Sequence, residues 1–166
     1  MGPAVYSADE TEKYRPDALT ASDPVLYLHR NTYPGCRLPH AWLNTAAPSA
    51  PISTIDLAGH GGFTLLTGIG GDAWKPAVGE VSRTLRVPIV AYSIGFRQEW
   101  EDVYFEWEKV RGVEESGAIL IRPDRFVAWR SQKAYGDVDE CAGHLTKVMR
   151  SLLGLTKGDI AKTVST

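Results

Sequence analysis

The 166-residue sequence is short of several things, and each shortage excludes a class of protein. It has only two cysteines, Cys36 and Cys141, far apart in the chain. Two cannot make the multi-bridge framework of a small secreted domain, and neither stands in a metal-ligand spacing. A reducing, cytoplasmic setting is therefore expected, with no metal site. No apolar run approaches the ~18 residues of a membrane-spanning helix. The first 24 residues have no basic head followed by an apolar stretch, so no signal peptide is expected. Charge of one sign is also lacking: 18 basic and 20 acidic side chains leave a net charge of −2. That gives no footprint for nucleic acid or an anionic membrane. No Gly-x-Ser-x-Gly elbow and no His-Glu-x-x-His pair occurs. What remains suits one domain, long enough to bury roughly 70% of the surface its unfolded chain exposes.

Residues 1–33 read as an N-terminal extended segment, polar and interrupted by Pro3, Pro16 and Pro24. Residues 34–51 read as a proline-rich loop by which the chain enters a domain; Pro34, Pro39, Pro48 and Pro51 exclude a long helix there. The domain proper is expected over 52–154, followed by a polar tail over 155–166. "ISTIDLAG" alternates like a short strand and "GFTLLTGIG" reads as a buried one. "DAWKPAVGEVSRTLR" predicts a helix capped by Asp72, with Ala73, Ala77, Val81 and Leu85 on one face and Pro76 tolerated in the first turn. "VPIVAYSIG" predicts a second buried strand, which completes a βαβ unit with parallel strands.

"FRQEWEDVYFEWEKVRG" carries Trp100, Tyr104 and Trp107 at helical spacing and predicts a helix ending near Gly112, its aromatic stripe in the core. "GAILIRPDRFVAWRS" predicts a hairpin around Pro123-Asp124. Val127 and Trp129 are expected on one strand face, opposite Ile119 and Ile121. "DVDECAGHLTKVMRSLLG" predicts a helix opened by Asp137 and Glu140, with Cys141 buried on its apolar face, and closed by Gly154. The order suits an α/β fold in which a mixed sheet, built of a βαβ unit and a C-terminal hairpin and helix, is flanked by helices. Thioredoxin-like domains have that order.

The sharpest candidate site is "GIGGDA". Gly68-x-Gly70-x-x-Ala73 follows a strand and opens a helix, as a dinucleotide fingerprint does. Ser93 and Arg97 would then suit a 2′-phosphate, and a small NADP-type nucleotide-binding enzyme is the alternative function. Against it, no acidic residue ends the next strand, and too little chain follows for a doubly wound sheet. Glycines serving a tight strand-to-helix turn explain the stretch as well. In a thioredoxin-like fold this turn is where a redox Cys-x-x-Cys sits, and here it holds no sulfur. Of the histidines, His60 reads as a turn residue and His144 as partly exposed on the last helix.

"TYPGCRLPHAWL", "STIDLAGHGGFTLLTG" and "GAILIRPDRFVAWR" together resemble the C-terminal third of flavin-dependent phenol hydroxylases of the 2,4-dichlorophenol and phenol 2-monooxygenase group. The resemblance covers roughly residues 24–153. It implies a thioredoxin-like domain that follows flavin and substrate domains. It also implies a parent enzyme that uses NAD(P)H and FAD to hydroxylate a phenol ortho to its hydroxyl. This chain would then hold no cofactor and no catalytic residue. It would serve as a structural and interaction domain without redox activity, partnered by the FAD and substrate domains, with a homodimer as a further option. Gly35, Arg37, Pro39, His40 and Trp42 would make the interdomain contact. Gly35 and the prolines would fix the loop's path, Arg37 and His40 would hydrogen-bond across the boundary, and Trp42 with Leu43 would anchor the loop on the core.

Overall fold

The computed structural model describes residues 30–47 and 49–155. Most of the expected N-terminal segment, the tail beyond Leu155 and Pro48 lie outside the described residues.

The main sheet has four strands in the order β4-β3-β6-β7. Strands β3 (Phe63–Thr67) and β4 (Ile89–Ser93) pair parallel, with Leu65 opposite Ala91. A parallel pair needs a long crossover, which helix α1 (Trp74–Leu85) supplies. Strand β6 (Ala118–Ile121) runs antiparallel to β3 and to β7 (Val127–Ser131). A parallel pair extended by an antiparallel hairpin in this order is the thioredoxin-like arrangement that the element order predicts. In the hairpin, the Arg125 N–H closes the turn onto the Arg122 carbonyl at 2.9 Å.

Helices α1 and α3 (Val138–Leu152) cover one face of the sheet. In α1 the buried residues Trp74, Ala77, Val78 and Val81 follow the helical period. Asp72 does not cap this helix: the N-cap is Ala73 and makes no side-chain bond. The chain is already wound before the helix, because the Trp74 N–H donates to the Gly71 carbonyl at 3.0 Å. In α3 the Asp137 carboxylate does accept the Glu140 N–H, at 2.9 Å. Glu140 reaches back one residue further than a capping box, to the Gly136 N–H. The far end closes through Gly154 (φ 68), with Leu155 donating to the Arg150 carbonyl and Gly154 to that of Ser151. This is a Schellman motif.

The second face departs from expectation. No helix spans 96–112. The Gly95 N–H donates to the Trp100 carbonyl and the Trp100 N–H to that of Ser93, so the chain folds back on the sheet edge. Residues Glu101–Asp102 then form β5, and only Glu106–Val110 form a helix, α2. Phe105, just before it, is left-handed (φ 55). The aromatic stripe is split: Trp107 is buried, while Phe96, Tyr104 and Phe105 are 72%, 60% and 66% exposed. The expected strand "ISTIDLAG" is likewise cut short. Only Ile52–Ser53 form a strand, β2, and Thr54–Leu57 wind into a 3-10 turn. Its cause is a Ser53/Asp56 capping box.

Residues 34–51, expected as a loop, contain β1 (Trp42–Asn44), the middle of a small antiparallel sheet β2-β1-β5. Leu38, Ala41 and Leu43 are buried there with Ile94, Trp107, Ile119, Ile121 and Val127. The hairpin register also differs from simple alternation. Leu120 pairs with Trp129 but Ile121 pairs with Val127, leaving Ala128 as a bulge. Val127 therefore joins Ile119 and Ile121 on the second face, while Trp129 turns to the helical face with Leu120.

Candidate functional site

The loop that carries the expected contact residues is held by its own backbone. Tyr33-Pro34-Gly35-Cys36 is a turn closed by the Cys36 N–H on the Tyr33 carbonyl at 2.9 Å. Gly35 takes φ 90 at the third position, which a type II turn reserves for residues tolerant of positive φ. The chain then lies along the start of β7. Gly35 donates to Val127, Val127 to Cys36, and Leu38 to Arg125, all at 2.8–2.9 Å. This pairing points Leu38 inward and leaves Arg37 exposed.

The five residues lie on one continuous run but do different things. Pro39 is buried, and its carbonyl accepts the Thr54 hydroxyl at 2.7 Å. His40 Nδ1 lies 2.6 Å from the Ser53 hydroxyl, a contact within the domain. The Trp42 ring stands edge-on to His40, with centroids 4.7 Å apart, and remains 41% exposed. Leu38, Ala41 and Leu43 anchor this run in the core. The Arg37 side chain has no hydrogen-bond or ion-pair partner among the described residues.

Sequence reasoning missed Arg130. It is buried, at 2% exposure, on the second face of β7. Its guanidinium lies 3.7 Å from the Tyr33 ring centroid, and Nη1 is 3.4 Å from Thr32 Oγ1. Thr32 in turn donates to the Arg111 carbonyl. Gly112, with φ 64, leaves room for it: a Cβ there would meet Arg130 Nη1 at 2.9 Å. An arginine in an alternating strand normally signals a solvent-facing position, so no local signal reveals this one.

The turn after β3 is filled by protein. A Cβ on Gly68 would meet the Glu115 carbonyl at 2.6 Å, and one on Gly71 would meet Thr67 Oγ1 at 1.9 Å. The Gly71 N–H is used by the Gly68 carbonyl. The glycines thus serve a tight turn under residues 115–117. Ser93 is buried, with its hydroxyl near the Glu99 N–H, and Arg97 lies over Phe96. No cradle for a diphosphate is left at this turn.

Neither thiol is activated. Burial pushes the Cys36 thiol up from its ordinary range, against the opposing charge of Arg130. Burial also raises Cys141; a hydrogen bond from the Tyr135 backbone opposes this, while Asp137 and Glu140 add to it. A thiol held protonated is a poor nucleophile. His60 bonds the Asp56 carbonyl and His144 stacks on Tyr135. Among the described residues no group of three or more His, Cys, Asp or Glu could hold a metal, and no helix is long and apolar enough to cross a membrane.

One groove stands out, at the carboxyl ends of β3 and β4. Its volume is about 240 Å³, with Ile69, Ile94, Phe96, Phe105 and Trp107 as apolar lining. Glu101, Asp102, Glu108 and Glu115 contribute carboxylates, and Arg111 the one cation.

The fold and the sulfur-free turn define a thioredoxin-like α/β domain whose helix start is built for packing. The chain belongs to the family described as aromatic-ring hydroxylase, C-terminal, which matches residues 31–155. It is 42% identical over 132 residues to a 2,4-dichlorophenol 6-monooxygenase of Cupriavidus pinatubonensis, covering 80% of this chain and 22% of that protein. It is 41% identical over 131 residues to a phenol 2-monooxygenase of a Pseudomonas species, covering 79% and 21%. Among solved structures it resembles the flavin-dependent monooxygenase PieE in complex with FAD and substrate. There the TM-score is 0.70 at 41% identity, over 81% of this chain and 22% of that one. Aklavinone-11 hydroxylase with FAD and aklavinone gives a TM-score of 0.68 at 32% identity, over 93% and 26%. The chain thus spans about a fifth of the length of the curated relatives it matches.

Proposed function

We propose that this chain is the interaction domain of a larger cytoplasmic, FAD- and NAD(P)H-dependent phenol hydroxylase. It docks on the flavin- and substrate-binding domains and performs no redox step itself. The observation that carries this is the loop from Gly35 to Trp42. Its backbone is fixed by hydrogen bonds to Arg125, Val127 and Thr54, yet it turns Arg37 and Trp42 outward. A rigid loop that presents a planar cation and an indole is what a protein contact uses, since both side chains are enriched at interfaces.

The parent's oxidative chemistry belongs to its cofactors. The turn from Gly68 to Ala73 does not fit the diphosphate of a flavin or nicotinamide, because its glycines are packed against Glu115 and Thr67. Gly35, Arg37, Pro39, His40 and Trp42 divide the interface work. Gly35 and Pro39 set the path. His40, tied to Ser53, orients Trp42. Arg37 and Trp42 make the contact.

The test is to remove the matching C-terminal fifth from the Pseudomonas phenol 2-monooxygenase and add this chain in trans. Co-elution and improved FAD retention are expected, and Arg37→Ala or Trp42→Ala should weaken both. A chain that purifies with its own flavin band after dialysis, or that never associates, defeats the proposal.

A further inference from the structure

We infer that the groove at the carboxyl ends of β3 and β4 is a second part of the docking face. It would receive an apolar side chain flanked by lysine or arginine, on a segment of the flavin- and substrate-binding domains. Groove docking presupposes the interaction role proposed above, but it stands on different residues.

Three observations carry it. The first is exposed apolar surface in one place. Phe96 and Phe105 line the groove at 72% and 66% exposure, and Ile69 adds 39%. Soluble monomers seldom leave such side chains together unless something covers them. The exposure is built in. Left-handed Phe105 follows β5, and the Asp102 carboxylate holds the start of α2 by accepting the N–H groups of Glu106 and Glu108.

The second is charge. Glu101, Asp102 and Glu108 pair with no cation among the described residues, and Arg111 is engaged with Glu115 at 3.8 Å. The groove therefore carries an excess of three carboxylates over its cation. A basic partner segment matches that; an acidic one would be repelled.

The third is continuity with the loop. Strand β5 pairs with β1, and the Val103 N–H donates to the Trp42 carbonyl at 3.1 Å. Exposed Trp42 thus adjoins the segment bearing exposed Tyr104 and Phe105. The chain's relatives have about four-fifths of their length outside the matched region, ample to supply a covering segment.

The experiment titrates the full chain with two capped peptides, one with a Leu-Phe pair between Lys and Arg, one with the same pair between two Glu. Backbone amide resonances report. Saturable shifts around Phe96, Phe105 and Trp107 are expected with the basic peptide alone, weakened at least tenfold by Phe105→Ser and by Glu108→Lys. Trp42→Ala should leave that response intact. Association in trans that is lost with Phe105→Ser but ignores Arg37→Ala and Trp42→Ala would sink the docking role proposed for the loop and keep the groove; no association in trans would sink both. Association in trans that ignores Phe105→Ser, or a basic peptide that gives no shifts, would sink the groove and keep the loop. Sedimentation covers the remaining occupant: a dimer of the chain abolished by Phe105→Ser would assign the groove to a second copy and overturn the inference.

Discussion

The two faces of the four-stranded sheet are covered by different means. One face carries the two long helices, α1 and α3, and an aromatic core of Trp74, Trp129 and partly buried Tyr135. The other carries a short helix, a 3-10 turn, and a three-stranded sheet whose strands come from distant parts of the chain. The helical face is sealed. The second face is where Arg37, Trp42, Phe96 and Phe105 reach solvent. Helices satisfy their own backbone and leave only side chains to pack, whereas short strands and turns fix individual side chains by tertiary bonds. The irregular face is thus the one able to present particular residues outward.

If the helical face is the stability reservoir, its largest side chains should dominate unfolding. Trp129→Ala should cost about 3–5 kcal/mol, as large-to-small core changes do. Trp74→Ala belongs in the same range and also strands the Ser116 carbonyl, which the indole N–H meets at 3.1 Å. The ring centroids lie 5.9 Å apart, edge to face. A double-mutant cycle should therefore show coupling of roughly 0.5–1.5 kcal/mol. Urea unfolding that shifts by under about 1 kcal/mol for Trp129→Ala would break the comparison at its base.

The second face has one strut of comparable depth. Arg130→Met removes a charge-assisted contact to Thr32 and the stacking on Tyr33. A loss of about 1.5–3 kcal/mol is expected from the hydrogen bond to a charged group. Arg130→Lys should recover only part of it, since an ammonium cannot stack flat on a ring. Full recovery by lysine would show that charge alone matters, and that the ring contact is incidental.

How much of this could be read from the chain follows the same division. The βαβ unit, the hairpin and the last helix announce themselves through local signals: apolar runs, Pro123-Asp124, Asp137 and Gly154. Each depends on neighbours in sequence. The second face depends on partners far away. Trp100, Tyr104 and Trp107 keep helical spacing, yet Asp102 pairs with Leu43 of β1 and the chain bends to meet it. Ala128 looks like any strand residue, and its bulge shows only in the pairing of Ile121 with Val127. The loop from Gly35 to Trp42 was legible as special because glycine, prolines and reactive side chains crowd together. That His40 binds Ser53, and that Arg130 lies under Tyr33, are tertiary facts with no local trace.

The glycines sharpen the contrast at lower energy. Gly71→Ala places a Cβ 1.9 Å from Thr67 Oγ1, which itself donates to the Gly117 carbonyl at 2.7 Å. Thr67 is buried and has nowhere to turn, so a loss of roughly 1–3 kcal/mol is expected, as for overpacking. Gly79, exposed in α1, has nothing near its missing Cβ. Gly79→Ala should raise stability by about 1 kcal/mol through helix propensity alone. Thermal unfolding of the two variants should move in opposite directions. Two shifts of the same sign would mean that the turn after β3 relaxes freely, and that packing does not dictate its glycines.

The smallest effects separate two residues that the sequence treats alike. Arg37 and His40 sit three positions apart on one proline-fixed loop, and both are expected from sequence to serve a contact beyond this chain. Surface substitutions of that kind change stability by no more than about 0.5 kcal/mol. Arg37→Ala should stay within that limit, because its side chain is exposed and unpaired among the described residues. His40→Ala should exceed it. The ring loses the 2.6 Å contact to Ser53 Oγ, whose oxygen also takes the Ile55 N–H and so belongs to the capping box of the 3-10 turn. A net hydrogen bond is worth about 1 kcal/mol, and a loss of that size is expected in urea unfolding of the chain alone. In the association assay the order should reverse, with Arg37→Ala the more damaging. His40→Asn or His40→Gln, which can still reach Ser53, should restore stability without restoring the edge-on packing of Trp42. Equal losses for Arg37→Ala and His40→Ala in the isolated chain would make both residues struts of this domain, and would leave Trp42 alone to face a partner.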